Sequence, residues 1–316
     1  MKRFKTVLTI IFMFFLFLGI IISKSGIKKE YKTTEFLFDT TCSVTVYGKD
    51  AKNISKEAFA LIEKIHNDTN FFSENSDVSK INNAKPGESV KISNFTCDII
   101  ARCLEISEKS GGAFDITIAP VSVLWDFKGS SPSLPDNKEI EIAKSLVDYT
   151  ALTLDVENQR VTKTKDIKID LGAAAKGYAC DKAREIFEKN NISAIIDLGG
   201  NVVCTGKNPN TKDGIWRIGL QVPFEATGTF EKIIEISSGS VVTSGTYQRY
   251  FEIDKKNYHH IIDPETGYPK DASYNAVTIV TDSALLADCL STACFVLGEN
   301  KGKDLAEEYG AKIFYY

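Results

Sequence analysis

Residues 281–298 read TDSALLADCLSTACFVLG and predict a helix that is apolar on almost every side. A helix of this kind lies in the interior of a protein, so we expect the rest of the chain to pack around it. Asp288 and Thr292 are four residues apart and therefore share one face of that helix. A buried carboxylate without a compensating cation costs several kcal/mol, so Asp288 needs a partner.

Two partners for this pair are consistent with the segment alone. Carboxylate and hydroxyl oxygens are hard ligands that suit Mg²⁺ rather than Zn²⁺, which favours a metal site at Asp288 and Thr292. Alternatively, Asp288 forms a salt bridge with a Lys or Arg, and the Thr292 hydroxyl bonds back to its own helix.

Helical and strand patterns alternate irregularly along the rest of the chain. Without a strict βαβ order, they predict an α+β fold with a mixed or antiparallel sheet and flanking helices. We expect one globular body over residues 31–316, preceded by an N-terminal segment over residues 1–30. The predicted strands are 36–47, 167–171, 194–198, 215–222, 230–237, 258–262 and 276–281. The predicted helices are 55–66, 93–109, 137–149, 174–190 and 283–297, with a polar linker at 31–35 and a loop at 128–137.

Composition and charge restrict the class of protein. The chain has 316 residues, of which 43% are apolar and 25% charged, which is typical of a globular protein and excludes intrinsic disorder. The net charge is −4, but residues 1–30 contribute +5, so the remaining residues carry −9. An acidic body argues against nucleic acid as the main partner, because phosphate neutralisation requires a basic face.

The N-terminal segment contains an uncharged run of 18 residues, TVLTIIFMFFLFLGIIIS, at positions 6–23. A helix of that length spans about 27 Å, close to the roughly 30 Å hydrocarbon core of a bilayer. The run has no A-x-A cleavage pattern and no following cysteine, which favours a retained membrane anchor over a cleaved signal peptide. Lysines flank both sides of the run, so the positive-inside rule does not settle the orientation. We expect the body to be extracytoplasmic.

The seven cysteines are not spaced as a zinc site, because no C-x-x-C pair occurs. We expect most of them to be small buried apolar residues. An extracytoplasmic body would also permit one or two disulfides.

Two glycine-containing segments follow predicted strands. Residues 169–181, IDLGAAAKGYACD, place Lys176 in the first turn of a helix, where free amides and a cation suit a phosphate. Residues 195–201, IIDLGGN, contain glycines that allow a ligand to approach the backbone. The first signal is weak by itself, since the segment is not a Walker loop and a plain strand-to-helix connection would also explain it. For the second segment taken alone, an ordinary turn is the better explanation.

Two further segments contain candidate functional side chains. Residues 110–115, SGGAFD, end a helix with Gly-Gly and then present a Phe-Asp pair that we expect to be exposed. Residues 244–269 contain SGTYQRYF and YHHIIDPETGYP, with His259 and His260 adjacent. Neighbouring strand residues face opposite sides, so at most one of these histidines points into a given pocket, where it could act as a general base. His66 lies on a predicted amphipathic helix and is expected to be structural.

Five of these segments resemble the ApbE family of FAD:protein FMN transferases. The family carries GGAFD-, DLGGIAKGYA-, LGGN-, HIIDPxTGxP- and TDAxxADALSTAxFVLG-like motifs in this order, and the resemblance extends from Phe36 to the C-terminus. It implies an enzyme that binds FAD and Mg²⁺ and transfers the FMN half of FAD to a Thr or Ser hydroxyl of a partner flavoprotein. The other product would be AMP.

The resemblance also implies roles for individual residues. Metal ligands would be Asp288, Thr292 and the backbone carbonyl of Ala173, and His260 would be the catalytic base. Residues at family positions that contact FAD are Phe38, Phe72, Ala113, Phe114, Asp115, Asp170, Lys176 and Asp263. Phe38 stands where the family often has Met and Phe72 where it often has Tyr, so the cavity wall stays apolar while its contacts change.

Many members of the family act outside the cytoplasmic membrane on membrane-bound redox subunits. The resemblance therefore implies an acceptor flavoprotein subunit of a membrane redox complex, and a catalytic body held at the cell membrane by the N-terminal helix. Three alternatives remain open from the sequence. They are an FAD pyrophosphatase that yields FMN and AMP, a non-catalytic flavin-binding protein, and a structural extracytoplasmic domain.

Overall fold

The computed structural model describes residues 30–127, 133–226 and 228–316. The expected N-terminal anchor at 6–23 lies outside these residues, as does the first half of the loop expected at 128–137. Within the described ranges, no helix combines the length and the apolar character needed to cross a bilayer.

A seven-stranded sheet runs through the centre of the body, and all of its strand pairs are antiparallel. The strand order across it is β1-β2-β6-β7-β10-β15-β16. These strands are β1 Glu30–Leu37, β2 Thr40–Tyr47, β6 Ser193–Leu198, β7 Asn201–Thr205, β10 Gly239–Gly245, β15 Ala276–Thr281 and β16 Lys312–Tyr315.

The remaining strands form small antiparallel units. One three-stranded sheet has the order β3-β5-β4, with β3 Ser89–Lys91, β4 Leu152–Asp155 and β5 Arg160–Lys163. The two-stranded units are β8 Trp216–Gln221 with β9 Phe230–Ile236, β11 Tyr250–Ile253 with β12 Lys256–His259, and β13 Ile262–Asp263 with β14 Tyr268–Pro269.

Eight α-helices lie in the described part of the chain. They are α1 Ala51–Thr69, α2 Asp77–Asn83, α3 Asn94–Lys109, α4 Ala119–Trp125, α5 Asn137–Lys144, α6 Ala175–Lys189, α7 Ala284–Leu297 and α8 Glu299–Glu308. Helices α1, α6 and α7 pack on one face of the central sheet, whereas the β8–β9 hairpin covers part of the other face.

Helix α7 is the buried helix that its apolar sequence predicts, since nearly all of its residues are inaccessible to solvent. Its first turn is capped twice. The Ser283 hydroxyl accepts the amide of Leu286, and the Asp181 carboxylate of α6 accepts the amides of Ala284 and Leu285. These acceptors satisfy the free amides of the helix N-terminus and fix α7 against α6.

The strand pattern of β7 separates the two sides of the sheet. Val203 belongs to the main core beneath the helices, whereas Val202 and Cys204 belong to the core beneath the β8–β9 hairpin. Successive strand residues face opposite sides, so Asn201 shares the helix-covered side with Val203. That side also contains the candidate metal ligands of α7.

The predicted α+β class, the antiparallel sheet and the flanking helices are confirmed. The expected linker at 31–35 is wrong, because these residues lie within β1. The single strand expected at 36–47 is also wrong, because a turn at Phe38 and Asp39 joins β1 to β2. Both residues have positive φ angles, 52° and 56°, in a turn that usually selects Asn or Asp followed by Gly, and the sequence contains no such pair there.

The segment 167–171 is not a strand, since its only ladder contact in the described chain is an isolated bridge between Lys168 and Ile118. The helix expected at 137–149 is shorter and ends at Lys144. Ser93 is the N-cap of α3, as predicted, and all seven cysteines are free and buried. The prediction that the cysteines act as small apolar residues is therefore confirmed.

Candidate functional site

A cavity of about 1090 Å³ lies beside the central sheet, and its lining includes residues of β7, β10, α6 and α7. Eleven of the twelve residues predicted for the site line it. They are Phe38, Phe72, Ala113, Phe114, Asp115, Asp170, Ala173, Lys176, His260, Asp288 and Thr292. The structure therefore brings together residues that lie more than 200 positions apart in sequence.

Asp263 is the predicted site residue that does not line the cavity. Its carboxylate accepts the amide of Glu265 and pairs with the Lys270 ammonium at 2.9 Å. Its carbonyl accepts the amide of Gly267 at 2.8 Å. These contacts fix the turn that follows His260, so in this structure Asp263 supports the cavity wall from behind.

Asp288 is buried at the bottom of the cavity, with 3% of the residue exposed. Its Oδ2 accepts the amide of Gly177 at 2.9 Å and lies 3.7 Å from the Lys176 ammonium. Both contacts within the described chain use Oδ2, which leaves Oδ1 able to bind a ligand.

Gly177 makes this contact possible because it lets α6 approach α7 closely. A Cβ atom at this position would lie 2.3 Å from the carbonyl oxygen of Ala284 and 2.8 Å from the Cβ of Asp288. A side chain there would force the two helices apart, and the Asp288 carboxylate would lose its amide donor.

The same arrangement leaves the Ala173 carbonyl able to accept a bond from a ligand. In a regular helix the amide of Gly177 would donate to Ala173, four residues earlier. Here that amide donates to Asp288 instead, and among the described residues no main-chain amide donates to the Ala173 carbonyl. A buried carboxylate and an unused carbonyl therefore stand at the start of α6.

Thr292 supplies a third oxygen one turn along α7 from Asp288. Its hydroxyl lies 3.2 Å from the Ser244 hydroxyl of β10, which also contacts Ser291 at 2.8 Å. The Thr292 hydroxyl is thus held by a neighbouring strand. Carboxylate, hydroxyl and carbonyl oxygens are the ligand types that Mg²⁺ accepts, so these residues fit the predicted metal.

The described residues contain no group of three His, Cys, Asp or Glu side chains that could hold a metal ion. A site built from one carboxylate, one hydroxyl and one carbonyl differs from such a group in its ligand types. It suits a hard cation that keeps several waters or binds phosphate oxygens, as Mg²⁺ does.

His260 faces the cavity in an orientation suited to accepting a proton. The carbonyl of Arg249 accepts both the backbone amide of His260, at 3.1 Å, and the ring Nδ1–H, at 3.2 Å. A carbonyl can only accept, so Nδ1 carries the ring proton and Nε2 has a free lone pair. Burial, with the nearby Arg249 charge, lowers the pKa of His260 to about 3. The ring is therefore neutral at pH 7.

His259 points away from the cavity, as the strand alternation predicts for one of the two histidines. Its Nε2 donates to the carbonyl of Lys270 at 2.9 Å, and its ring packs edge-on against Phe295. The structure therefore selects His260 as the histidine available to a ligand.

Asp170 and Lys176 both bond to Gly172, in the turn that leads into α6. The Asp170 carboxylate accepts the amide of Gly172 at 2.8 Å, and the Lys176 ammonium donates to the carbonyl of Gly172 at 3.1 Å. The turn is thus closed from both sides, with Lys176 between Gly172 and Asp288. The ammonium places a positive charge beside the oxygens that fit a metal.

Phe114 and Asp115 are buried, so the expectation that they are exposed is wrong. The Ser110 hydroxyl accepts the amide of Phe114 and turns the chain inward after the helix stop. Asp115 accepts the amide and hydroxyl of Thr117, both at 2.7 Å, and the amide of Tyr149 at 3.0 Å. Burial raises the pKa of Asp115 despite these donors.

An aromatic wall closes the opposite side of the cavity. Phe72 is 70% exposed at its rim, whereas Phe38 is held deeper by His66. The His66 Nδ1 accepts the amide of Phe38 at 3.3 Å, and the two rings meet edge to face at 4.9 Å. Burial lowers the pKa of His66, which keeps the ring neutral and able to accept this bond.

Sequence reasoning missed several cavity residues. It assigned no role to Asn201 or Arg249, although both lie in the segments quoted above. His66 also lines the cavity, and its contacts with Phe38 agree with the structural role expected for it. Asn201 is 1% exposed, and its side-chain amide nitrogen has no hydrogen-bond partner in the described chain. The LGGN and SGTYQRYF segments were the available signals for Asn201 and Arg249.

Comparison with known proteins gives one consistent result. The ApbE family model matches residues 38–315. The FAD:protein FMN transferase of Treponema pallidum is 30% identical over 301 residues, which cover 89% of this chain and 82% of that protein. The protein of the same name from Klebsiella pneumoniae is 32% identical over 276 residues, covering 87% and 84%.

Solved structures agree with the sequence relatives. The ApbE protein of Thermotoga maritima superposes with a TM-score of 0.83 at 33% identity, covering 91% of this chain and 94% of that one. The apo flavinyl transferase ApbE of Pseudomonas stutzeri gives a TM-score of 0.79 at 30% identity, covering 91% of each chain.

Proposed function

The chain belongs to the ApbE family, and from this premise we propose that it is an Mg²⁺-dependent FAD:protein FMN transferase. It would transfer the FMN half of FAD to a Thr or Ser hydroxyl of a flavoprotein and release AMP. The observation that carries the proposal is the convergence of two groups on one cavity. These are the oxygen ligands Asp288, Thr292 and Ala173, and the His260 ring with its free Nε2.

Asp288, Thr292 and the Ala173 carbonyl would hold the Mg²⁺ ion. When bound, the ion would offset the negative charge of the FAD diphosphate and make its phosphorus more electrophilic. Lys176 adds a fixed positive charge at the same place, 3.7 Å from Asp288. The amides of Ala174 and Ala175 donate to Leu171 and that of Gly177 to Asp288, so Lys176 is the phosphate-binding group that we propose at this turn.

His260 would act on the acceptor hydroxyl. As the hydroxyl oxygen bonds to the phosphorus of the FMN half, its proton moves to Nε2 of His260. The bond from that phosphorus to the bridging oxygen breaks, and the electron pair leaves with AMP. The Arg249 carbonyl keeps the ring in the tautomer that this transfer requires.

Mass spectrometry of an acceptor flavoprotein tests the transfer directly. The full-length chain is incubated with FAD, MgCl₂ and the acceptor, with and without EDTA. We expect the acceptor to gain the mass of FMN less one water, with AMP in equal amount, and EDTA to abolish both. AMP and free FMN without an adduct would instead identify an FAD pyrophosphatase. If neither the adduct nor AMP formed, the result would favour a non-catalytic flavin-binding protein.

We also propose that residues 6–23 hold the enzyme at the cell membrane with its body outside the cytoplasm. The support is the uncharged run of 18 residues, which matches the bilayer core in length. The acceptor would then be a flavoprotein subunit of a membrane redox complex. Fusing alkaline phosphatase, which is active only outside the cytoplasm, to the C-terminus tests the orientation. An inactive fusion that is nevertheless expressed would contradict it.

A further inference from the structure

Arg249 is a cavity residue to whose side chain the proposed chemistry assigns no task. It follows β10 and precedes β11, and it lines the cavity together with Phe38 and His260. Its guanidinium makes one hydrogen bond within the described chain, from Nη2 to the carbonyl of Phe38, at a long 3.4 Å. A guanidinium has five N–H donors, so most of its donor capacity remains for a ligand.

Arg249 also lacks an acidic partner among the described residues. Three other described arginines are paired with carboxylates, namely Arg102 with Glu105, Arg184 with Asp181 and Arg217 with Asp213. The cavity lysine, Lys176, is paired with Asp288. A partly buried cation without a carboxylate is typical of a site that binds an anion.

The backbone position of Arg249 places its charge near His260. Its own carbonyl holds the His260 ring, so the guanidinium and the ring project from neighbouring backbone. The charges of Arg249 and Lys176 both lower the pKa of His260, which places both cations within electrostatic range of that ring. A diphosphate bound near His260 therefore lies within the field of both cations.

We propose that Arg249 is a catalytic residue whose guanidinium binds phosphate oxygens of the FAD diphosphate. This inference rests on the proposed transferase function. The planar fork of a guanidinium matches two phosphate oxygens at once, which an ammonium does not. When the phosphorus–oxygen bond breaks, the electron pair remains on the oxygen that leaves with AMP. The Arg249 guanidinium stabilises that charge, while the acceptor proton goes to His260.

The alternative is that Arg249 only holds the Phe38 turn through the carbonyl contact. The two roles differ in which ligands they affect. A phosphate contact is made by FAD but not by riboflavin, which has no phosphate, whereas a disturbed aromatic wall would weaken both. Binding of FAD and of riboflavin, measured by flavin fluorescence, therefore separates the roles without requiring turnover.

The experiment compares wild-type chain with R249A and R249K. For R249A we expect FAD binding to weaken roughly 10- to 100-fold, as for a lost charged hydrogen bond, with riboflavin binding changed by no more than about twofold. We expect AMP release to fall about 100- to 1000-fold, the usual effect of removing a donor to developing charge. R249K keeps the charge but not the guanidinium fork, so its FAD binding and AMP release should lie between those of wild type and R249A.

Guanidinium chloride at low millimolar concentration gives a second readout. It should restore part of the AMP release of R249A, whereas equal NaCl should not, because only guanidinium replaces the lost fork. R160Q is the matched control, since Arg160 lies on the small sheet and bonds to Ser89. It should behave as wild type.

Equal losses of FAD and riboflavin binding in R249A, without guanidinium rescue, would overturn the proposal in favour of a structural role. Turnover of R249A within threefold of wild type would overturn it too. A wild-type chain that binds FAD but forms neither adduct nor AMP would refute the transferase function instead. The comparison of FAD with riboflavin would then still decide whether Arg249 binds phosphate.

Discussion

Asp288 occupies the position where the amide of Gly177, the ammonium of Lys176 and the predicted metal meet. Sequence spacing alone placed Asp288 and Thr292 on one face of a buried helix, and it left a salt bridge or a metal as the partner. The structure contains the salt bridge and also the oxygens that fit a metal. The two interpretations are therefore compatible, because one carboxylate oxygen serves the protein and the other can serve the ion.

Replacing Asp288 separates its charge from its shape. We expect D288N to keep its hydrogen bond from Gly177 and to fold, because the amide oxygen still accepts. Loss of the negative charge should abolish detectable Mg²⁺ binding in calorimetry and reduce AMP release below detection. D282N, at an exposed aspartate before α7, is the control and should bind Mg²⁺ as wild type does. Mg²⁺-dependent turnover in D288N would contradict the metal assignment.

His260 and His259 offer a matched pair of variants on adjacent residues. H260A removes the free Nε2 in the cavity, so we expect AMP release to fall about 100- to 10,000-fold, the usual range for a lost general base. FAD affinity should change only a few-fold. H259A removes a ring that points away from the cavity and should keep turnover within a few-fold of wild type. Equal losses of affinity and turnover in H260A would indicate a binding role.

His66 marks the limit of prediction at this scale. Its position on α1 is evident from the helical pattern, but its contact is with a turn formed by Phe38 and Asp39 at positive φ. Nothing in the sequence indicates that two non-glycine residues adopt that conformation. A residue whose role depends on a strained distant turn is therefore invisible to motif reasoning.

At the scale of elements, the contact between α6 and α7 builds the metal corner. The boundaries of both helices were predicted to within one residue. β10 and α8 were not predicted, although β10 lies beside α7 and carries Ser244. The β10 sequence GSVVTSG has two glycines and three hydroxyl residues, which local propensity assigns to a loop. Its neighbours β7 and β15 hold it as a strand.

Gly177 tests whether this helix contact controls the site. G177A places a Cβ against the carbonyl of Ala284, at a distance that requires the helices to separate. We expect a loss of about 1–3 kcal/mol in the free energy of unfolding, as for overpacked cores, with weaker Mg²⁺ binding because Asp288 moves. Urea unfolding and calorimetry measure the two effects. E185A, at an exposed position on the same helix, should change neither. Wild-type Mg²⁺ affinity in G177A would show that the contact does not set the metal corner.

At the scale of the whole molecule, the sequence predicted an α+β body but not the order of its strands. The pairs β2–β6, β7–β10 and β15–β16 join segments that are separated in sequence by other helices or strands. Such pairings depend on which apolar faces fit together after collapse, and single-chain periodicity does not contain that information. The site follows the same rule, since its members were named from motifs while their convergence required the sheet order.

All three histidines of the chain have pKa values lowered from 6.5 by burial, so the folded protein resists their protonation. The unfolded chain binds these protons as pH falls below about 6.5, and stability is therefore lost as pH falls from 7 towards 5. For His260, whose folded pKa is about 3, the loss from pH 6.5 to pH 5 is at most about 2 kcal/mol. Asp115 and Asp197 have raised pKa values and act in the opposite direction, which reduces the net dependence of stability on pH.

Urea unfolding at pH 5, 6 and 7 should show the free energy of unfolding rising with pH. The triple variant H66Q/H259Q/H260Q should show a smaller increase of the free energy of unfolding with pH. An unchanged slope in this variant would assign the pH dependence to the carboxyl groups instead.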